Sequence, residues 1–176
     1  MKRGIGVVIA LWTLVLAPAS AGAHSASDAY LNLTVDGAKH PGTLVLHGQW
    51  DIALRDLDFV LKLDEDGDGR LSWGEVRPRQ AAIERYAYAH LWVGAGAGAA
   101  CDIKPTRQMI DDHADGAYAA LFFDVVCKHA SPTLRLRYDL FFGIDPSHRG
   151  IFVMHNGSNT ASAVLSPQNG AIDLAL

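Results

Sequence analysis

The stretch Asp64-Glu65-Asp66-Gly67-Asp68-Gly69-Arg70-Leu71-Ser72-Trp73-Gly74-Glu75 (DEDGDGRLSWGE) decides how the middle of this chain folds. Asp64, Asp66 and Asp68 place carboxylates at its first, third and fifth positions. Gly69, at the sixth, suits a sharp turn that a side chain would resist. Arg70, at the seventh, offers only its backbone carbonyl, so its charge can point outward. Ser72, at the ninth, acts through a water, and Glu75, at the twelfth, brings two oxygens at once. Such a set of hard oxygen donors approaches the six to eight that calcium takes.

Working outward, Leu54, Leu57 and Leu61 recur at helical spacing before this stretch, and Ile83, Tyr86, Ala87, His90 and Leu91 after it. Ser72-Trp73-Gly74-Glu75 also reads as an S-x-x-E capping box that starts the exiting helix. The stretch therefore satisfies the EF-hand pattern D-x-[DN]-x-[DN]-G-x5-E at every specified place, with a helix on either side. Pro78 lacks a backbone N–H early in the exiting helix, which predicts a kink or a restart there. Leu71, at the position that pairs two hands in a double EF-hand, has no second loop in the chain to meet. Four acidic ligands crowded together repel one another, so the expected role of calcium is to stabilise, and a solitary hand fits weak, extracellular-type binding.

Further out the periodicity changes to two. Asp28–Val35 (DAYLNLTV) and Thr43–Trp50 (TLVLHGQW) alternate apolar and polar residues before the helical segment. Ala117–Cys127, Thr133–Phe142, Gly150–Met154 and Thr160–Leu165 do so after it, separated by Pro, Gly, Ser and Asn clusters. Gly94–Ala100 (GAGAGAA) reads as a flexible loop, since no Lys-Ser/Thr pair or helix follows to make it a phosphate cradle. The expected fold is α+β: a β-sandwich with an inserted helix–loop–helix, a single EF-hand, at about 51–91, between the second and third strands.

The N-terminus reads as an export signal over residues 1–23. Lys2 and Arg3 precede an apolar run from Gly6 to Leu16, and Ala21-Gly22-Ala23 forms a small-residue cleavage site. The expected mature chain, 24–176, is one domain, exported to the periplasm or secreted. Without Lys2 and Arg3 there remain 13 basic and 19 acidic residues, a formal charge of −6, which argues against nucleic acid as a partner. In an oxidising compartment the only two cysteines, Cys101 and Cys127, are expected to pair.

Other candidate chemistry is sparser. His24 would become the new N-terminus, where an amine beside an imidazole chelates copper or nickel, and His113 and His148 are candidate partners in a second metal site. The alternative for both is a turn, signalled by Asp115-Gly116 and Asp145-Pro146. No nucleophile elbow, HExxH motif or free Cys–His pair is present, so no catalytic residue is assigned and an enzyme is not expected. A hydrolase built from Asp111, Asp112 and His113 is the weaker alternative. Trp50, Trp73 and Trp92 flank the helical segment and are expected to pack it onto the sheets.

Several strings together resemble the periplasmic N-terminal region of HupE/UreJ-type membrane proteins, a hydrogenase/urease accessory family. They are His24–Leu31 (HSASDAYL), Trp50–Asp58 (WDIALRDLD), the loop itself, His113–Tyr118 (HADGAY) and Asp145–Gly150 (DPSHRG). The resemblance implies a soluble calcium-binding domain associated with a membrane transporter of nickel or cobalt. Those relatives continue into membrane helices that this sequence lacks, so transport itself is not carried over. The functional expectation is an exported calcium-binding module whose one EF-hand has a structural or weak sensing role. A copper or nickel accessory protein using His24 is the alternative.

Overall fold

The computed structural model describes residues 27–38, 42–96, 99–129 and 131–176. Residues 1–26, which include the expected export signal and His24, Ser25 and Ala26 of the HSASDAYL string, lie outside the described residues. The fold is α+β, mostly β, with two sheets and a few short helices.

The larger sheet contains β1 (Asp28–Val35), β2 (Leu44–Ala53), β5 (Asp102–His113), β6 (Gly116–Cys127), β8 (Arg149–Asn156) and β9 (Asn159–Leu165). Their order is β5-β6-β2-β1-β8-β9. Every pair is antiparallel except β1 and β8, which run parallel with Leu31 opposite Phe152. The smaller sheet contains β3 (Leu91–Ala95), β4 (Ala99–Ala100), β7 (Thr133–Tyr138) and β10 (Ala171–Ala175), in the order β10-β7-β3-β4. Alternation does the work that period-two sequences are expected to do: in β1, Ala29, Leu31 and Leu33 are buried while Tyr30, Asn32 and Thr34 face away.

One continuous core joins both sheets and the helices. Leu31, Leu33, Leu46, Trp50, Leu121, Phe123 and Phe152 come from the larger sheet, and Val93, Leu134, Leu136 and Leu174 from the smaller. Leu54, Leu57, Leu63, Val76, Ile83 and Ala87 bring the helical segment into the same cluster. Truncating any fully buried leucine here, such as Leu57, is expected to cost about 2–5 kcal/mol.

The helical segment is shorter than its sequence suggested. β2 runs on through Asp51 and Ile52 to Ala53, so α1 begins only at Leu54 and ends at Leu61. After the loop, α2 (Trp73–Val76) passes into a 3-10 turn at Arg77–Arg79, and α3 (Gln80–Ala89) then restarts the α-helix. Pro78 sits inside that 3-10 turn, where its missing N–H disrupts the α-ladder as expected. The strand following the insertion is β3, not the later strand at Ala117.

Several strands depart from the sequence reading. Within the expected loop Gly94–Ala100, Gly94 pairs with Ala100 and Ala95 with Ala99 as antiparallel strand residues. Glycine is needed at 94 because a Cβ there would lie 2.2 Å from the Trp92 ring. β5, with its charges and Pro105, carries no clean alternation, and β10 is only five residues long. Thr133–Phe142 is strand only as far as Tyr138, after which the chain turns.

Cys101 and Cys127 form a disulfide that closes a separation of 26 residues. It staples the start of β5 to the end of β6, next to the paired residues Asp102 and Val126. Among the described residues no helix is long and apolar enough to cross a membrane.

Candidate metal centre

The loop hangs between two helix ends that are themselves clamped. Lys62 closes α1 in the left-handed conformation at φ 53°, and its N–H donates to the Asp58 carbonyl at 2.8 Å. The Asp58 carboxylate then accepts from the N–H groups of Leu63 at 2.6 Å and Asp64 at 2.9 Å, which fixes the chain as it enters the loop. From the far side, the Arg79 guanidinium donates to the carbonyls of Leu61 and Lys62. Carbonyls at a helix C-terminus lack intrahelical partners, so a cation placed there binds them well. Buried Leu63 anchors the loop's first residue to the core.

Within the loop the backbone is shaped by its own carboxylates. Asp64 accepts from Gly67 N–H at 2.8 Å through Oδ1 and from Gly69 N–H at 2.9 Å through Oδ2. Asp66 accepts from Asp68 N–H at 3.1 Å, and Asp68 accepts from Arg70 N–H at 2.7 Å. Gly69 turns the chain at φ 76°, where a side chain would be strained. The result is that one oxygen from each of Asp64, Asp66 and Asp68 lies within 4.8 Å of the others. Asp64 is half-buried and the other two are exposed.

Glu75 is not in that trio. Its carboxylate accepts from Ser72 N–H at 2.9 Å and Ser72 Oγ–H at 2.8 Å, and from Glu65 N–H at 3.1 Å. These contacts complete the capping box of α2. The Ser72 N–H and then its hydroxyl hold the Glu75 carboxyl below its ordinary range. Glu75 thus ties both ends of the loop together with acceptors that are already ionised. Arg70 and Ser72 are exposed, as their places in the pattern anticipated.

Leu71 is partly buried against the core. Beside it, Asp64, Gly69 and Leu71 line a 250 Å³ recess whose other wall is the β5–β6 turn at Asp115 to Tyr118. Arg55 reaches across from α1 to that turn, with Nη2 3.9 Å from the Asp115 carboxylate, which also accepts from the Tyr118 hydroxyl at 2.8 Å.

The candidate histidines occupy different places. His113 ends β5, stacks on Tyr118 with centroids 4.1 Å apart, and lies 3.8 Å from the Asp51 carboxylate and 3.9 Å from that of Asp111. Burial raises the Asp51 carboxyl above its ordinary range. Asp112 caps no side chain of this group; its N–H donates to Asp111 at 3.0 Å. His148 is fully buried, and His24 lies outside the described residues. Among the described residues the only group of three or more metal-ligating side chains that converge is Asp64, Asp66 and Asp68.

What the sequence reading missed is the setting of His148. The Asp145-Pro146 turn does form, with Ser147 N–H donating to Asp145 at 2.8 Å, but the histidine after it swings inward. Ser27 Oγ–H donates to Asp56 Oδ2 at 2.8 Å, which leaves Ser27 Oγ to accept from His148 Nδ1–H at 2.7 Å. His148 Nε2 then accepts from the Tyr138 hydroxyl at 2.6 Å. This assignment satisfies every group with the imidazole neutral. Burial pushes the His148 imidazole down to about 4, raises the Asp56 carboxyl, and raises the Tyr138 hydroxyl well above its ordinary value. The partners are 121 and 10 residues away, a separation that carries no local signal.

The tryptophans divide as well. Trp50 is fully buried against Tyr138, with centroids 5.5 Å apart, and Trp92 lies under the Arg137 guanidinium. Trp73 is 44% exposed and stands outside the buried core, in a surface recess with Gln108, Met109 and Ile110.

No protein-family model matches the chain, and no curated protein matches it.

Proposed function

We propose that Asp64–Glu75 is a single EF-hand loop that binds calcium, in an exported module that is not an enzyme. The observation that carries this reading is the convergence of the Asp64, Asp66 and Asp68 oxygens within 4.8 Å, in a loop held between two clamped helix ends. All the side-chain donors are hard oxygens, which suit calcium better than a transition metal. Arg70 would add its carbonyl, Ser72 a water-mediated contact, and Glu75 both carboxylate oxygens. Bound calcium would supply a local positive charge that offsets the repulsion among these carboxylates.

In this reading the two sheets form a β-sandwich and the EF-hand is its insertion between β2 and β3. The structural role follows from where the loop is attached: Leu63, Leu71 and Val76 tie it to the core, so holding the loop also holds both helices. Export, to the periplasm or beyond, is supported by the N-terminal charge and apolar pattern and by the disulfide. The resemblance to HupE/UreJ-type N-terminal regions supports a place beside a membrane metal transporter.

Thermal unfolding tests the reading. With a dissociation constant of about 1 mM, 10 mM calcium stabilises by about 1.4 kcal/mol, which shifts Tm by about 3–6 °C in a chain of this size. An identical Tm in calcium and in chelator defeats it.

A further inference from the structure

The larger sheet ends on β5, whose outer edge pairs with no strand among the described residues. At 12 residues it is about twice the length of an average strand. Its first half is blunted by Pro105 and by an irregularity in register between Pro105 and Arg107, features that discourage further pairing. From Arg107 to His113 there is neither proline nor bulge. Long open edges of this kind are templates for another strand.

Asp102 opens β5 and Lys104 follows it within the blunted half. Over the open stretch the charges are ordered, with Arg107 at its start and Asp111 and Asp112 toward its end. Neither basic residue is paired with a carboxylate among the described residues, and the Arg107 guanidinium instead lies 4.3 Å from the Phe122 ring centroid. Residues two apart share a face of a strand, so Arg107, Met109 and Asp111 form one row: cation, apolar, anion. Met109 at its centre is 40% exposed. Beside it, Trp73, Gln108 and Ile110 line a 440 Å³ recess, and among the described residues the Gln108 amide oxygen and nitrogen are buried without hydrogen-bond partners.

We propose that two copies of this chain associate by antiparallel pairing of their β5 edges about Met109, with Arg107 of each copy opposite Asp111 of the other. The occupant is a second copy because the charge pattern is self-complementary. An antiparallel arrangement reverses the strand, so its basic half meets an acidic half, and opposite charges directly across a strand pair are favourable. A strand of uniform sign would repel its own copy. The two exposed methionines meet at the centre, and Trp73 of each copy flanks them. Only about seven residues of each edge are open, so the interface is small and the association weak.

Sedimentation across concentrations from low micromolar to millimolar tests this. The expected result is a monomer–dimer equilibrium that weakens with added salt. Lys104→Glu with Arg107→Glu makes the open stretch from 107 to 112 all acidic, and Asp111→Lys with Asp112→Lys makes it all basic. Each variant, with an unchanged circular dichroism spectrum, is expected to be monomeric alone, and their equimolar mixture to form a heterodimer. Met109→Arg, a change at an exposed side chain, is expected to be monomeric as well. A monomeric wild-type chain at every concentration overturns the proposal. So does a dimer that survives both charge reversals, or a series of larger species, which would mean that β5 pairs with a different edge such as β9.

Discussion

The loop Asp64–Glu75 and the network around His148 are both hydrogen-bonded polar clusters, and they solve opposite problems. In the loop, carboxylates stand near the surface and accept from backbone N–H groups, which shapes the chain but leaves acidic groups crowded together. Around His148, one donor meets one acceptor at each step from Tyr138 to Asp56, and the imidazole is buried. Solvent tolerates the first arrangement and would be excluded from the second. On the proposed calcium reading the loop is the region that a cation would change, while the buried network is the one whose disruption is expected to cost the most stability.

That contrast predicts a hierarchy of effects. The largest belongs to the buried network. His148→Ala leaves the buried Tyr138 hydroxyl without its acceptor, takes one of two partners from the Ser27 hydroxyl and opens a cavity, for a loss of about 3–5 kcal/mol in denaturant unfolding. A loss no larger than that of a surface substitution would place the network outside the stabilising core.

Reduction of the Cys101–Cys127 disulfide comes next. Opening a crosslink of this loop length is expected to cost about 3 kcal/mol, read as a lower denaturant midpoint with reductant present. An unchanged midpoint would show that β5 and β6 hold their register without it.

Acid separates the two regions further. His148 is at about 4 in the folded chain, below its ordinary 6.5, so below pH 6.5 the unfolded chain takes up a proton that the folded chain refuses. Its neutral burial therefore carries no penalty above pH 6.5, and stability falls as the pH drops from 6.5 toward 4, by at most about 3 kcal/mol. Asp56 acts with the opposite sign: its raised carboxyl stabilises the fold below its ordinary value, and that contribution is lost as pH rises through the folded one. The two groups are separable by substitution, because His148→Gln removes the slope between pH 6.5 and 4 that His148 creates. A slope that persists in His148→Gln would assign it to other groups.

The smallest effects belong to the loop in the absence of metal. Asp66→Asn removes one like charge from an exposed cluster, so in chelator its Tm is expected to match or slightly exceed that of the parent. In calcium the order reverses, because a ligand has been lost. If the variant gains as much from calcium as the parent does, Asp66 is not a ligand.

The same contrast explains what could be read in the sequence. The conformation of the loop was legible residue by residue, since its carboxylates, its glycine turn and its capping box all lie within twelve consecutive positions. Strands β1, β2, β6, β8 and β9 were legible too, because each places one face in the core and alternates accordingly. β5 was not, since as an edge strand it leaves most of its side chains in water and has no apolar face to display. β3 and β4 were hidden in a glycine–alanine run whose glycine makes room for the Trp92 ring. The Ser27–His148 pair was invisible because the parallel pairing of β1 with β8, which brings Asp28 opposite Arg149, is a property of the whole topology. Of the candidate metal histidines, His148 has both ring nitrogens bonded to hydroxyls, and His24 lies outside the described residues.

The most direct test of the calcium reading is a calorimetric titration of the mature protein, freed of metal by chelator, repeated with Glu75→Gln. The account predicts one site with a dissociation constant of about 10⁻⁴ to 10⁻³ M, lost or strongly weakened in the variant. It also predicts terbium luminescence sensitised by Trp73, at the tenth position of the loop, that calcium displaces. No binding heat and no sensitised terbium emission from the folded protein would contradict it.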